Sequence, residues 1–182
     1  MCIRDRTDSH RFTDDEKFLL FNTPAMIGAA MSFAQSSGAI GTFKEALANA
    51  KSISGGAKAF PGNEVIQAVL PDLEHRESAM ETARAMRTKA VERMKSLEID
   101  SKEKMHAQAI ADIGAVQELL KAKATPEEAD QYRQWALSVA ENVAKAASEG
   151  GFLGFGGEQI SDGERAAYRE IADALGLDAR LV

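Results

Sequence analysis

Thr125-Pro126-Glu127-Glu128-Ala129-Asp130-Gln131-Tyr132 opens a helix that can be read almost to the residue. Thr125 with Glu128 three positions on forms a capping box, in which each side chain satisfies the other's orphan N–H. Pro126 takes the first helical position, where its missing N–H loses nothing. Beyond it Ala129, Tyr132, Ala136, Val139, Val143 and Ala147 recur at helical spacing, and Gly150-Gly151 ends the run. The pattern predicts an amphipathic helix over 126–148, with one face for a core.

The same signature recurs along the chain. Thr13/Glu16, Thr42/Glu45 and Ser161/Glu164 are further capping boxes. Upstream of 125, Asp100-Ser101 caps a helix carrying Met105, Ala109, Ile113, Val116 and Leu120 on one stripe. Pro71-Asp72 starts a helix to about 97, through Leu73, Met80, Ala83, Ala90, Val91, Met94 and Leu97. Together these predict a long central hairpin over about 72–123, with Met80, Met86, Met94 and Met105 as adaptable core fillers. Asn63, after the turn Pro61-Gly62, caps a short helix ending near Leu70. A helix over 42–59 is expected to be weakened by Gly55-Gly56. Near the start, 14–22 reads as a helix that Pro24 ends or kinks, with a second over 24–35. The last helix spans 162–175 and stops at Gly176, suited to a left-handed C′ position. No stretch alternates as a strand does. The reading is all-α: a single-domain bundle of about seven helices over 7–182.

Met1-Cys2-Ile3-Arg4-Asp5-Arg6 reads as a transposase-adaptor scar rather than native protein. Without its two Arg and one Asp the net charge moves from −6 to −7. The native start is then expected upstream of residue 7. The single cysteine falls in the scar, so no disulfide framework or thiolate site is expected. The acidic balance, with Lys and Arg interleaved among Glu and Asp, argues against a nucleic-acid partner. No charge lies between Lys17 and Lys44. The polar residues and glycines in that run favour a buried central helix over a membrane span through 18–43.

Catalytic patterns are absent from this reading. His10, His75 and His106 sit among charges, where a general base lacks shelter and a partner. Glu103-x-x-His106 and Asp72-x-x-His75 have di-metal spacing, but fall at opposite ends of the expected hairpin. The glycine loop over 150–157 is not a phosphate loop, since it lacks the Lys-Ser/Thr and a preceding strand. Its Phe152, Leu153 and Phe155 are expected to fold into the core or to form a docking loop. Trp135 and Tyr132 are expected to pack on the hairpin or to line a groove for a partner.

Ile160-Ser161-Asp162-Gly163-Glu164, Tyr168, Ile171-Ala172 and Leu175-Gly176-Leu177 resemble the closing segment of the tellurite-resistance TerB-like family. Ala29-Ala30 and the stretch from Ser37 to Glu45 echo it. The resemblance implies a helical pseudo-repeat and acidic turn residues that bind a divalent cation, here Glu45, Glu158, Asp162 and Glu164. The family places Asp-Gly where this chain has Gly156-Gly157-Glu158-Gln159. Three functional expectations result. The first is a non-catalytic module of the bacterial cytoplasm, without cofactor, binding a protein or small ligand in a stress response. The second is an ion-binding or enzymatic domain using those carboxylates. The third is membrane association through 18–43.

Overall fold

The computed structural model describes residues 11–34, 49–56, 58–70, 76–148 and 160–178, and every regular element among them is helical. The elements are α1 (Asp14–Ala34), α2 (Glu64–Val69), α3 (Arg76–Ser96), α4 (Lys102–Lys123), α5 (Pro126–Ser148) and α6 (Asp162–Leu175). Residues 49–56 form a further helical segment between α1 and α2.

The hub is α1, which packs against α2, α4, α5 and α6. This explains its lack of charge beyond Lys17. Phe18, Leu20, Met26, Ile27, Ala30 and Met31 are buried around its circumference, as a helix enclosed by neighbours requires. Among the described residues no helix is long and apolar enough to cross a membrane.

Pro24 neither ends nor restarts this helix, contrary to the reading of two helices over 14–22 and 24–35. A proline inside a helix removes the N–H that would meet the carbonyl four residues back. Here that carbonyl is Leu20 O, and the hydroxyl of Tyr132 on α5 donates to it at 2.7 Å. A distant side chain thus replaces the missing backbone donor.

Three predicted capping boxes form. Thr13 and Glu16 exchange bonds at the start of α1, Thr125 and Glu128 at α5, and Ser161 and Glu164 at α6. The fourth, Thr42/Glu45, lies outside the described residues. The first two boxes are also cross-linked. Arg11 clamps Glu128 with both terminal nitrogens (2.8 and 2.7 Å) and donates from Nε to Lys123 O. Lys123 in turn reaches Glu16 at 2.7 Å. The start of α1 is thereby fastened to the α4–α5 turn.

The clamp makes stability acid-sensitive. The Arg11 guanidinium is the main cause that pulls the Glu128 carboxyl down from 4.5 to about 2. A depressed carboxyl stabilises the fold fully above its unfolded value and loses that effect as pH falls through the folded one. Glu128→Gln should therefore flatten urea stability between about pH 4.5 and 2. The lost pH-dependence should be on the order of 1–2 kcal/mol, after allowance for solvent screening.

The hairpin is only partly as expected. The α4 stripe of Met105, Ala109, Ile113, Val116 and Leu120 is buried as predicted. In contrast, among the described residues, α3 is held only toward its C-terminal end. Lys89 reaches Asp15 at 2.8 Å and lies over the Phe18 ring. Arg93 grips the buried Asp112 of α4 with two bonds of 2.8 and 2.6 Å. Met94 and Ile99 pack on Met26, Ala30, Met105 and Ala109. Met80 is 67% exposed, which corrects its reading as a core filler, and Val91 and Leu97 of the same helical pattern also face solvent. Helical spacing identifies a common face but not whether a neighbour covers it.

The turn after α3 has a testable cost. Glu98 adopts a positive φ of 49°. Its N–H meets Lys95 O, and Ile99 N–H meets Met94 O, the paired bonds of a Schellman end. The left-handed conformation costs a side-chain-bearing residue about 1 kcal/mol that glycine avoids. Glu98→Gly should stabilise the protein by about that amount, raising its melting temperature by roughly 2–4 °C. Gly176, with φ 71°, ends α6 in the same way and as predicted.

Candidate functional site: a cleft over Trp135

Segment 49–56 presents two faces with helical spacing. Asn49, Ile53 and Gly56 face the bundle. Asn49 donates to Ala25 O at 3.1 Å and its amide lies directly on Gly28, where a Cβ would clash. Ile53 joins the main core. Gly56 lies on the edge of the Trp135 indole, so close that a Cβ there would overlap Nε1. Lys51, Ser52 and Gly55 face the other way, toward a groove.

The opposite wall is α5. Tyr132, Ala136, Val139, Ala140 and Val143 enter the core. Trp135, Ser138, Asn142 and Lys145 follow one another along the adjacent stripe. Between the walls lies a cleft of about 480 Å³, within the size range of small-molecule sites. Among the described residues no carboxylate lines it, in a chain of net charge −6.

Two buried polar atoms at this junction have no hydrogen-bond partner, Trp135 Nε1 and Asn49 Oδ1. Both lie where segment 49–56 meets the bundle. Each such group disfavours the closed arrangement by about 1–3 kcal/mol. The segment is therefore docked less firmly than its apolar contacts alone would make it.

The adjacent glycines should respond oppositely to alanine. A Cβ at Gly55 meets nothing within 4 Å, so Gly55→Ala should gain about 0.5–1 kcal/mol from helix propensity. Gly56→Ala pushes a methyl into the indole and should lose about 1–3 kcal/mol through overpacking. Thermal melts of the two variants should separate them in sign.

The sequence-predicted site residues are distributed as follows. Tyr132 is fully buried and its hydroxyl is engaged by Leu20, so it offers no face to a partner. Burial raises its pKa strongly. Trp135 packs edge-on against Tyr132, with ring centroids 5.4 Å apart, and forms part of the cleft wall rather than a contact with α3. Asp162 is exposed at the start of α6. Glu164 is buried, and its Oε2 accepts from Ser161 N and Oγ in its own cap. Glu45, Glu158, Phe152, Leu153 and Phe155 lie outside the described residues, as do His10 and His75. His106 meets Glu170 at 2.6 Å. Among the described residues no group of three or more His, Cys, Asp and Glu could hold a metal ion.

Lys51, Ser138, Asn142 and Lys145 were not singled out by sequence reasoning. The available signal was local: a polar stripe beside the lone tryptophan, and a Gly-Gly pair inside a helix. No family model, curated protein or solved structure matches the chain.

Proposed function

We propose that this protein is a non-catalytic binding module whose ligand is a small molecule held in the cleft between segment 49–56 and α5. The observation carrying the proposal is the coincidence, at one junction, of this cleft with the unpartnered, buried indole N–H of Trp135, which Gly56 covers. A bound acceptor would satisfy a donor that the folded chain leaves without one. The likeness of Ile160–Leu177 to TerB-like segments extends the proposal to a role in the bacterial stress response, in the cytoplasm.

Native mass spectrometry of the chain from Thr7 onward, purified without chelator, tests this reading. A retained organic adduct is expected at one per chain. It should be absent from Gly55→Leu, whose side chain enters the open space of the cleft without a clash at Cβ. An adduct that persists in Gly55→Leu would place the ligand elsewhere.

A further inference from the structure

The sequence of α3 holds an internal repeat that the bundle does not explain. Residues 76–86 and 87–97 align without a gap, eleven residues apart. Arg76 matches Arg87, Ala79 matches Ala90 and Glu81 matches Glu92. Met80 matches Val91, Arg84 matches Lys95 and Met86 matches Leu97 in chemical type. Three of the five positions that differ are those where the second unit meets the bundle: Lys89 on Asp15, Arg93 on Asp112, and Met94 against the Met26 and Met105 cluster. The first unit has Ser78, Thr82 and Ala83 there. Packing thus accounts for much of what differs between the units, and not for what repeats.

Much of what repeats faces water. Helical spacing puts Met80, Arg84, Arg87, Val91 and Lys95 on one stripe, away from Lys89 and Arg93, and all five are exposed. An eleven-residue period keeps such a stripe nearly parallel to the helix axis, over about 22 Å. Met80 has Arg84 one turn on, and Val91 sits between Arg87 and Lys95. None of these three cations meets a carboxylate among the described residues. Glu81 and Glu92 fall on the adjoining edge, and Glu77 lies in the first turn, where it complements the helix dipole. Among the described residues, Met80, Val91 and Leu97 are three of the four large apolar side chains exposed to water.

We propose that this stripe of α3 docks an acidic amphipathic helix of a partner protein. Apolar anchors at helical spacing, with cations beside them, complement a helix whose carboxylates flank an apolar seam. A second copy of this chain fits poorly, because cations on both sides of the stripe meet their own copies in a twofold pair. An anionic bilayer fits poorly too. Helices that lie in its interface bury Trp, Phe or Leu, and a body of net charge −6 is repelled by it. Nor does the chain supply the acid itself, since each stretch outside the described residues has at most two Asp or Glu.

Fluorescence anisotropy of a labelled probe tests the proposal on the full chain. The probe is an alanine-based helical peptide of about 22 residues, with Leu along one stripe and Glu on both sides of it. A second probe has Gln for every Glu. The acidic peptide should bind with a dissociation constant of about 10–100 μM, weakened by salt, and the Gln peptide about tenfold more weakly. Arg84→Glu with Arg87→Glu should weaken the acidic peptide by about tenfold or more, with the circular-dichroism spectrum unchanged because both side chains lie in water. Lys102→Glu with Lys121→Glu makes the same change of net charge at exposed positions of α4, and should alter affinity by no more than about twofold. Equal weakening by the two pairs, or equal affinity for the two peptides, would overturn the assignment. So would binding to vesicles of phosphatidylcholine and phosphatidylserine but not to the peptide, which points to a membrane surface. A dimer of the chain alone that Arg84→Glu with Arg87→Glu disperses would replace the partner by a second copy. No binding to peptide or vesicle would end the proposal outright.

Discussion

Arg93→Ala should destabilise the protein by about 3 kcal/mol and lower its melting temperature by roughly 6–12 °C. The reason is an asymmetry of burial. Asp112 keeps only 3% of its side chain exposed, whereas Arg93 keeps 26%. Removing the arginine strands an ionised carboxylate inside, with the Gln108 amide still donating to it at 2.7 Å. Breaking a buried pair from this side incurs the desolvation of the charge left behind. Asp112→Asn leaves the arginine partly in water and keeps a polar partner, so its effect should be smaller. The bond also joins α3 to α4. Arg93→Ala should consequently speed amide exchange in α3 more than in α5, a pattern that distinguishes loss of this tether from general weakening.

Tyr132→Phe should cost about 2 kcal/mol, because it leaves Leu20 O buried without its donor. The expectation becomes specific in combination with Pro24. Pro24→Ala restores a backbone N–H that can meet Leu20 O, so Tyr132→Phe should cost less in that background. A double-mutant cycle by urea unfolding should show a coupling of about 1–2 kcal/mol. Additive effects would mean that the hydroxyl does not substitute for the proline's missing donor.

These sites also show what the sequence could and could not disclose. The ends of α5 and α6 were readable because caps are local chemistry: Pro126 and the Ser161/Glu164 box act within one turn. Asn63 was readable for the same reason, and its Oδ1 does accept from Ile66 N. Pro24 was misread because the donor that rescues its helix comes from α5, far along the chain. The exposed half of α3 was misread because periodic Met and Ala positions do not reveal whether a neighbour arrives. The buried stripe of α4 has the same periodicity and does find one.

The candidate site was less legible than the fold. Trp135 was noted, but its surroundings come from two elements distant in sequence, and Lys51 and Lys145 look like ordinary surface charges until those elements meet. The contact also depends on Gly56 having no side chain. Sequence rules treat that glycine as a weak point in a helix, whereas here it permits close approach to an indole. The acidic residues suggested by the TerB-like resemblance fare differently. Glu164 is occupied by its own helix cap, and Asp162 stands exposed at that helix's first residue.

The central claim is that ligand binds between segment 49–56 and the Trp135 stripe of α5. Amide hydrogen exchange of the chain as purified and of Gly55→Leu tests it most directly, because it locates the response along the chain. The account predicts slower exchange in the ligand-carrying chain than in adduct-free Gly55→Leu, confined to 49–56 and 135–146. Protection centred on α3, or none at all, would contradict it.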